Sequence, residues 1–220
     1  MRQLGIIGAS GHGKVVADIA AKRGYDDIIF FDDNTKISVC GDYSVVGKCG
    51  KVFEYIQNYE IFVAVGNTSI RENILEDLIE KRAKIATLIH PDAVVGAKVQ
   101  IGSGSVIMAG AVLNPECRIG KGCIVNTCAS VDHDCYVGDY VHISVGVHVA
   151  GSVTIGKGTW IGAGATISNN LYITDSCMIG AGAVVINDIK ERGTYVGVPA
   201  RIIKMKKEEK SEDVGSNMGG

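Results

Sequence analysis

The sequence predicts an α/β Rossmann-like domain, then a parallel β-helix, then a short C-terminal helix. Short apolar strands alternate with helical segments up to about residue 82, and a six-residue repeat then replaces that pattern. The predicted divisions are an α/β domain at 1–85, a β-helix domain at 86–203 and a polar tail at 204–220. The segment GTYVGVPARIIKMKK, which follows the repeat, is expected to form a loop and the C-terminal helix.

The α/β domain is predicted from buried strands that each end in a glycine or polar turn. The expected elements are strands at 4–8, 28–31 and 61–65 and helices at 13–23 and 68–82. Thr68 is the expected N-cap of the second helix. Strands that alternate with helices favour a parallel sheet with right-handed crossovers. Residues 34–60 show no clear pattern.

The β-helix is predicted from an unbroken period of six. The aliphatic positions of the repeat are Ile89, Val95, Ile101, Ile107, Leu113, Ile119, Val125, Val131, Val137, Ile143, Val149, Ile155, Ile161, Ile167, Ile173, Ile179 and Val185. Three such hexads close one triangular coil, and coils stack about 4.8 Å apart. The aliphatic residue and the small residue two positions before it point inward, and the residue between them points outward.

Composition excludes several classes of protein. The chain has 220 residues, 29 glycines, 3 prolines and a formal net charge of −2, so neither a nucleic-acid partner nor a disordered linker is indicated. The apolar stretch 105–113 is too short to span a membrane. The N-terminus runs directly into a glycine turn, so no signal peptide and a cytoplasmic location are expected.

The seven cysteines favour buried thiols rather than disulfides or a metal site. Their number is odd, and four of them occupy the small inward register of the repeat, namely Cys117, Cys123, Cys135 and Cys177. No CxxC pair supports a zinc site. Cys40 and Cys49, which lie in the unplaced segment, are expected to be reduced, structural thiols.

One coil carries an unusual group of ionisable residues. The inward Val131 is followed by Asp132, His133 and Asp134 at a corner, and His142 projects outward from a later strand. None of His133, His142 and His148 is expected in the core, and an exposed surface imidazole is the simple alternative for each. An imidazole oriented by a carboxylate suits a general base, whereas a metal at His133 and His142 would lack a third ligand.

A glycine-rich turn follows the first strand. The run GASGHG at 8–13 opens a helix where free backbone amides can bind phosphate. Its order is GxxGxG rather than GxGxxG, so a complete NAD site is not expected. Asp32 and Asp33 follow the second strand, where they either contribute to a binding site or form a plain turn without a binding role.

Several runs of the sequence together carry a resemblance, namely VDHDCYVGDYVHISVGVHVAGSVTIG, GVPA, IIGASGHGKVVADIA, FFDD and VAVGNTSIR. They resemble one family, the sialic acid O-acetyltransferase-like family of left-handed β-helix acyltransferases. Within that family the chain is most similar to bacterial UDP-N-acetylbacillosamine N-acetyltransferases. The resemblance implies a left-handed β-helix, a homotrimer with sites between subunits and no metal. It also implies acetyl-CoA as co-substrate and a UDP-linked 4-amino-4,6-dideoxy-N-acetyl hexosamine as acceptor.

The same resemblance implies roles for individual residues. His133 corresponds to the general base, and Asp134 to the residue that raises its basicity, although Asp132 could orient the ring instead. His142 corresponds to a contact of acetyl-CoA near the thioester. The main chain of three small residues would hold the pantetheine arm, namely Gly151, Ala163 and Ala181. Six residues of the α/β domain would bind the nucleotide sugar, namely Ser10, Gly11, His12, Asp32, Asp33 and Gly66.

The sequence also allows other functions. O-acetylation of a sialic acid, or N-acetylation of a GDP- or dTDP-amino sugar, would use the same base. A non-catalytic nucleotide-sugar-binding trimeric scaffold is an alternative of another class, and so is an NAD-binding regulatory domain at 1–85.

Overall fold

The computed structural model describes residues 1–203, so the predicted tail at 204–220 lies outside the described residues. The N-terminal part is a five-stranded sheet with strand order β3-β4-β2-β1-β5. Its elements are β1 (Gln3–Ile7), α1 (Gly11–Lys22), β2 (Asp27–Phe31), β3 (Val39–Cys40), β4 (Tyr43–Gly47), a 3₁₀ helix (Cys49–Glu54), β5 (Glu60–Val63) and α2 (Thr68–Glu80). Neither helix, nor any other helix of residues 1–203, is long and apolar enough to cross a membrane.

The predicted α/β elements are confirmed, with ends that differ by one or two residues. β1 pairs in parallel with β2 and β5, and β2 pairs in parallel with β4, so the carboxyl ends of these strands share one edge. The segment 34–60, which showed no pattern, contains the antiparallel pair β3 and β4 and the 3₁₀ helix. The cap of α2 is Asn67 rather than the expected Thr68, because the Asn67 side chain accepts a hydrogen bond from the Ile70 amide.

The repeat forms a parallel β-helix of two-residue strands. These are β6 (Leu88–Ile89), β7 (Val94–Val95), β8 (Gln100–Ile101), β9 (Val106–Ile107), β10 (Val112–Leu113), β11 (Arg118–Ile119), β12 (Ile124–Val125), β13 (Ser130–Val131), β14 (Tyr136–Val137), β15 (His142–Ile143), β16 (His148–Val149), β17 (Thr154–Ile155), β18 (Trp160–Ile161), β19 (Thr166–Ile167), β20 (Tyr172–Ile173), β21 (Met178–Ile179) and β22 (Val184–Val185). Paired residues are 18 apart in sequence, as Leu113, Val131 and Val149 are, so three hexads make one coil.

The three stacks of strands are the faces of a triangular prism. Face I contains β6, β9, β12, β15, β18 and β21; face II contains β7, β10, β13, β16, β19 and β22; face III contains β8, β11, β14, β17 and β20. The inward aliphatic side chains form one continuous core. The predicted small register is confirmed by its cysteines, since Cys117, Cys123, Cys135 and Cys177 are all buried.

The C-terminal segment differs from the prediction. Instead of a loop and a helix, its described part forms β23 (Thr194–Val196) and β24 (Arg201–Ile203), which pair antiparallel, and residues 204–207 lie outside the described residues. β23 adds in parallel to β21 and so covers the open edge of face I. The segment contains residues that favour strands, such as Tyr195 and Ile202. Its backbone can also pair with the backbone groups that the last coil leaves unpaired.

The N-terminal part packs on the β-helix along face I and along the corner between faces III and I. On face I the outward residues Val106 and Ile124 are buried in one core cluster with residues of β1 and α1. At the corner, α2 lies so close that a Cβ atom on Gly122 would come 3.1 Å from Leu75 Cδ2. The first half of face I is therefore covered by protein, whereas the outward position of a repeat suggests exposure.

Candidate active site

His133 and Asp134 form a hydrogen-bonded pair at the corner between faces II and III. His133 Nδ1 lies 2.7 Å from Asp134 Oδ2, and both side chains are more than half exposed. This hydrogen bond, followed by the nearby Asp132 charge, raises the pKa of His133 above its usual value. With Nδ1 donating to the carboxylate, Nε2 is left as the proton acceptor, which is the arrangement that a general base needs.

Asp132 has a different partner set from Asp134. Its Oδ1 accepts from the His133 backbone amide and from the Asn114 side chain, each at 2.8 Å. These two hydrogen bonds lower the pKa of Asp132. The geometry thus assigns ring orientation to Asp134 and gives Asp132 the task of fixing the corner backbone. Asp134 adopts φ +58°, a conformation that Asp tolerates better than most residues.

Gly151 lies directly against the His133 ring in the next coil. A Cβ atom at position 151 would come 2.7 Å from both Cε1 and Nε2 of His133. Glycine is required here so that the ring can lie flat against the corner. The carbonyl of Gly151 accepts from the Asn170 amide at 3.0 Å, which leaves its second lone pair for any ligand.

His142 is buried, which corrects the expectation that no histidine of the repeat is a core residue. It points outward from face I as its register predicts, yet its relative exposure is 8% because the N-terminal part covers this face. Its ring stacks on Trp160, with centroids 4.7 Å apart and an interplanar angle of 24°. Burial, then the charges of Arg71 and His12, lowers the pKa of His142 to about 3. Within residues 1–203 neither ring nitrogen has a hydrogen-bond partner, and both are buried.

His12 approaches the same region from the first turn of α1. Burial, and then the Arg71 charge, lowers its pKa to about 4, and its Nε2 atom has no hydrogen-bond partner within the described residues. Ser10 and Gly11 precede it and are exposed at the helix start. Ser10 makes no side-chain capping bond, and no acidic residue lies in the first turn. The backbone amides there can therefore meet an anion.

The glycines of this turn permit close approach of backbone to backbone. Gly8 has φ +106°, and a Cβ atom there would lie 2.7 Å from the Ala64 carbonyl oxygen. A Cβ atom on Gly13 would collide with the Gly8 carbonyl. The GASGHG run thus holds β1, α1 and the end of β5 together at one edge of the sheet.

Asp32 and Asp33 both contact the loops beside this edge. Asp32 accepts from the Ala9 amide at 2.7 Å and from the Asn34 amide at 2.8 Å, while Asp33 accepts from the Cys49 amide at 3.0 Å. The bond from the Asn34 amide is that of an ordinary turn after a strand, and the bonds from Ala9 and Cys49 attach this turn to the neighbouring loops. Gly66 lies at the same edge beyond β5, where its carbonyl accepts from Arg71 at 2.8 Å.

The structure brings some of the predicted residues together and separates others. Ala163 and Ala181 are exposed at the corner between faces I and II. Gly151 instead lies with His133 at the corner between faces II and III. His142 is on face I, and the corner that carries His133 is the edge of the prism opposite that face. One chain therefore cannot bring His133 and His142 to the same atom.

Some site residues were missed by the sequence reasoning. Trp160 lies 18 residues after His142 in the same outward register, so the repeat could have identified their stacking. Trp160 also lines a cleft of about 430 Å³ between the start of α2 and the later coils, together with Thr68, Met178 and Arg192. Arg71 belongs to the NTSIR run, but its burial depends on how the two parts of the chain pack. Within residues 1–203, no group of three His, Cys, Asp or Glu side chains could hold a metal ion.

Comparison with known families identifies both parts of the chain. Residues 3–78 match the family described as the PglD N-terminal domain, and residues 152–187 match the bacterial transferase hexapeptide repeats. Over 113 residues the chain is 37% identical to UDP-N-acetylbacillosamine N-acetyltransferase from Bacillus subtilis. That match covers 50% of this chain, and the chain spans only 52% of the relative's length.

Solved structures match over almost the whole chain. The acetyltransferase domain of PglB from Neisseria gonorrhoeae, also solved in complex with acetyl coenzyme A, is 42% identical with a TM-score of 0.88. The match covers 92% of this chain and 100% of that domain. PerB from Caulobacter crescentus, in complex with CoA and GDP-perosamine, is 31% identical with a TM-score of 0.88, covering 93% and 98% of the two chains. These matches confirm the predicted left-handed β-helix.

Proposed function

Because this chain belongs to the sialic acid O-acetyltransferase-like family of left-handed β-helix acyltransferases, we propose that it is a nucleotide-sugar N-acetyltransferase. It transfers the acetyl group of acetyl-CoA to the 4-amino group of a UDP-linked 4-amino-4,6-dideoxy-N-acetyl hexosamine. The product would serve glycan or glycoprotein assembly. The observation that carries the proposal is the His133–Asp134 hydrogen bond, which orients a basic imidazole with a free Nε2 atom.

The reaction needs a base and two positioned substrates. His133 Nε2 accepts a proton from the sugar amine as the amine nitrogen attacks the thioester carbonyl carbon. A C–N bond forms and the C–S bond breaks, so that the sugar carries an amide and CoA leaves as the thiolate, which then takes the proton from the His133 imidazolium. Asp134 stabilises the imidazolium that forms. No covalent acyl-enzyme is needed, because direct attack in a ternary complex requires only positioning and a base.

The residues on face I fit the acetyl-CoA side of this reaction. Among the described residues no group bonds to either ring nitrogen of the buried His142, so one of them could donate a hydrogen bond to the thioester carbonyl oxygen once acetyl-CoA reaches it. His142 is uncharged at neutral pH, which suits contact with a neutral thioester. The exposed Ala163 and Ala181 leave the main chain of their corner open to the pantetheine arm.

The N-terminal part fits the nucleotide sugar. Ser10, Gly11 and His12 present amides and a neutral imidazole where a diphosphate can bind. On the sheet edge the base or ribose would bind at Asp32 and Asp33. PerB, which shares the fold, binds GDP-perosamine, another nucleotide-linked amino sugar. The preference for UDP over GDP or dTDP rests on the similarity to the Bacillus subtilis relative.

We propose a homotrimer with three shared sites. The support is geometric, because His133 is on the edge opposite the face that carries His142. A neighbouring copy can bring its His133 corner to face I and so complete the site. Sedimentation equilibrium is expected to give three times the chain mass of 23.2 kDa. A fully active monomer would contradict the shared site.

A cytoplasmic location fits the seven free thiols, which a reducing compartment would maintain.

The test of the activity is a thiol-release assay with acetyl-CoA and UDP-4-amino-4,6-dideoxy-N-acetylglucosamine. GDP- and dTDP-amino sugars and sialic acid are presented in parallel. CoA release with the UDP-amino sugar, and an amide in the product by mass spectrometry, is the expected result. Release with sialic acid alone would favour O-acetylation. No release with any acceptor, combined with tight UDP-sugar binding, would favour the non-catalytic scaffold. Binding of NADH in place of UDP-sugar would favour the NAD-binding regulatory domain.

A further inference from the structure

Arg71 is a fully buried arginine that contacts both parts of the molecule. It is the fourth residue of α2 and has a relative exposure of 1%. Its Nη1 donates to the carbonyls of Val65 and Gly66 at 2.9 and 2.8 Å. Its Nε donates to Gly122 and its Nη2 to Tyr140, at 2.8 and 2.7 Å. One guanidinium thus ties the loop after β5 to two successive coils of the β-helix.

The acceptors of Arg71 are all neutral. Each is a backbone carbonyl, so the positive charge is buried with hydrogen bonds but without a carboxylate among them. Burial consequently lowers the pKa of Arg71 to about 10, which still leaves it charged at neutral pH. A buried charge is an expensive way to join two surfaces, and apolar side chains of similar volume usually do so as well. This favours a task that needs the fixed fork geometry of a guanidinium.

The backbone that Arg71 holds leads directly to both halves of the proposed site. Gly66 belongs to the edge of the sheet where the nucleotide sugar is expected. Tyr140 precedes His142 by two residues, and its carbonyl bond fixes the start of β15. The loop that receives one substrate and the strand that contacts the other are therefore joined by a single planar group.

We propose that Arg71 is a positioning residue for acetyl transfer, which fixes the sugar-binding loop at Val65–Gly66 in register with the strand that carries His142. The inference rests on the proposed function, because it assigns Arg71 to that reaction. Arg71 acts through the backbone and touches neither substrate. Its charge also faces His12 and His142 and contributes to keeping both imidazoles neutral, so their free nitrogens stay available to ligands.

The test separates binding from the chemical step. Arg71→Lys keeps the charge but loses the fork, and Arg71→Met keeps the length but loses every hydrogen bond. Arg23→Met, at an exposed arginine that follows α1, is the matched control. For each protein, circular dichroism reports folding, titration calorimetry gives the Kd of UDP and of CoA separately, and steady-state kinetics give kcat and both KM values.

Displacement of reacting groups by about 1 Å is enough for a 100-fold loss of rate. We expect folded Arg71 variants with both Kd values within about threefold of wild type, and kcat lower by about tenfold for Lys and about 100-fold for Met. The Arg23 variant is expected to match wild type. If Arg71→Met does not fold, Arg71→Lys decides alone.

Three results would overturn the role of Arg71. A folded Arg71→Lys protein with kcat within about twofold of wild type would show that the fork does not matter. Loss of UDP or CoA binding in parallel with kcat, or failure of both variants to fold, would show a purely structural role. A wild-type protein that releases no CoA with any acceptor would instead overturn the proposed function, and the inference with it. The wild-type assay alone shows that outcome, so it is distinguished from a failure of the inference.

Discussion

His133 and His142 lie nine residues apart, half a coil of the repeat, and have opposite environments. His133 is exposed at a corner, bonded to a carboxylate, and its pKa is raised. His142 is buried on a face and stacked on Trp160, its ring nitrogens have no hydrogen-bond partner within residues 1–203, and its pKa is lowered to about 3. The same side chain is therefore prepared as a proton acceptor in one place and as a neutral hydrogen-bonding group in the other.

This difference shows what each part of the fold contributes. The β-helix sets only the direction in which a side chain points. The corner adds an aspartate whose backbone is in the left-handed conformation, and the N-terminal part buries the stretch of face I that carries His142. Pairs of titratable groups whose environments push their pKa values apart are typical of active sites. Substitutions at either histidine, or at the residues that contact it, test this difference.

The largest effect is expected from removal of the exposed imidazole. His133→Ala eliminates the proposed general base, so kcat is expected to fall on the order of 10³-fold with the KM for acetyl-CoA little changed. The thiol-release assay measures this directly. His148→Ala is the matched control, because His148 is likewise exposed in the β-helix and its ring bonds to Ser130, at 2.8 Å, rather than to a carboxylate. Equal rates in wild type and His133→Ala would remove His133 from the mechanism.

A methyl group beneath the ring should come next in size. In Gly151→Ala the new Cβ atom would overlap the His133 ring, which is exposed and can swing away from the corner. Stability is expected to change little, while kcat falls by about 10- to 100-fold because the base is misplaced. Gly50→Ala is the control, since a Cβ atom there meets nothing within 4 Å. A Gly151→Ala enzyme with normal kcat would show that the ring position is not critical.

The two aspartates beside His133 allow a test of which carboxylate orients its ring, with a smaller expected loss of rate. His133 must be neutral to accept a proton, so activity is lost as pH falls through its raised pKa. Asp134→Asn removes the largest cause of that raised pKa, so the acidic limb of kcat/KM is expected to move to lower pH. The rate at the pH optimum should fall by about tenfold, because the weaker base also loses its charge partner. Asparagine tolerates the positive φ of this corner, so the backbone is expected to keep its shape.

Asp132→Asn is the comparison variant for this pH profile. Asp132 bonds to the His133 amide rather than to its ring, so the expected shift of the limb has the same direction but is smaller. A larger shift in Asp132→Asn than in Asp134→Asn would reverse the assignment of the orienting carboxylate.

Much of this arrangement could be predicted from the sequence. The period of six predicted the outward direction of His142 and the corner position of His133, because a repeat without insertions fixes the register of every coil. It could not predict the burial of His142, which depends on long-range packing of the N-terminal part. The choice between Asp132 and Asp134 depends on one backbone conformation that adjacent carboxylates do not reveal. The edge that β23 covers, likewise, exists only once the coils are stacked.

The smallest effect is expected from the buried histidine, and it concerns stability as well as substrate binding. His142→Phe retains the aromatic stack on Trp160 and removes two buried nitrogens that lack partners. The free energy of unfolding at pH 7 is therefore expected to rise by about 1 kcal/mol, while the KM for acetyl-CoA rises about fivefold for one lost hydrogen bond. Denaturant titration and steady-state kinetics measure the two quantities.

The pH dependence of this gain distinguishes its cause. The pKa of His142 is lowered on folding from 6.5 to about 3, so in that window the unfolded wild-type chain binds a proton that the folded chain excludes. Wild-type stability is thus lost as pH falls, by at most about 1.4 kcal/mol per pH unit from this group. The advantage of His142→Phe should widen below pH 6.5, whereas His133→Phe, at an exposed position, should show no such advantage. A His142→Phe protein less stable than wild type at pH 5 would mean that His142 has a polar partner in the free enzyme, and the contrast between the two histidines would fail.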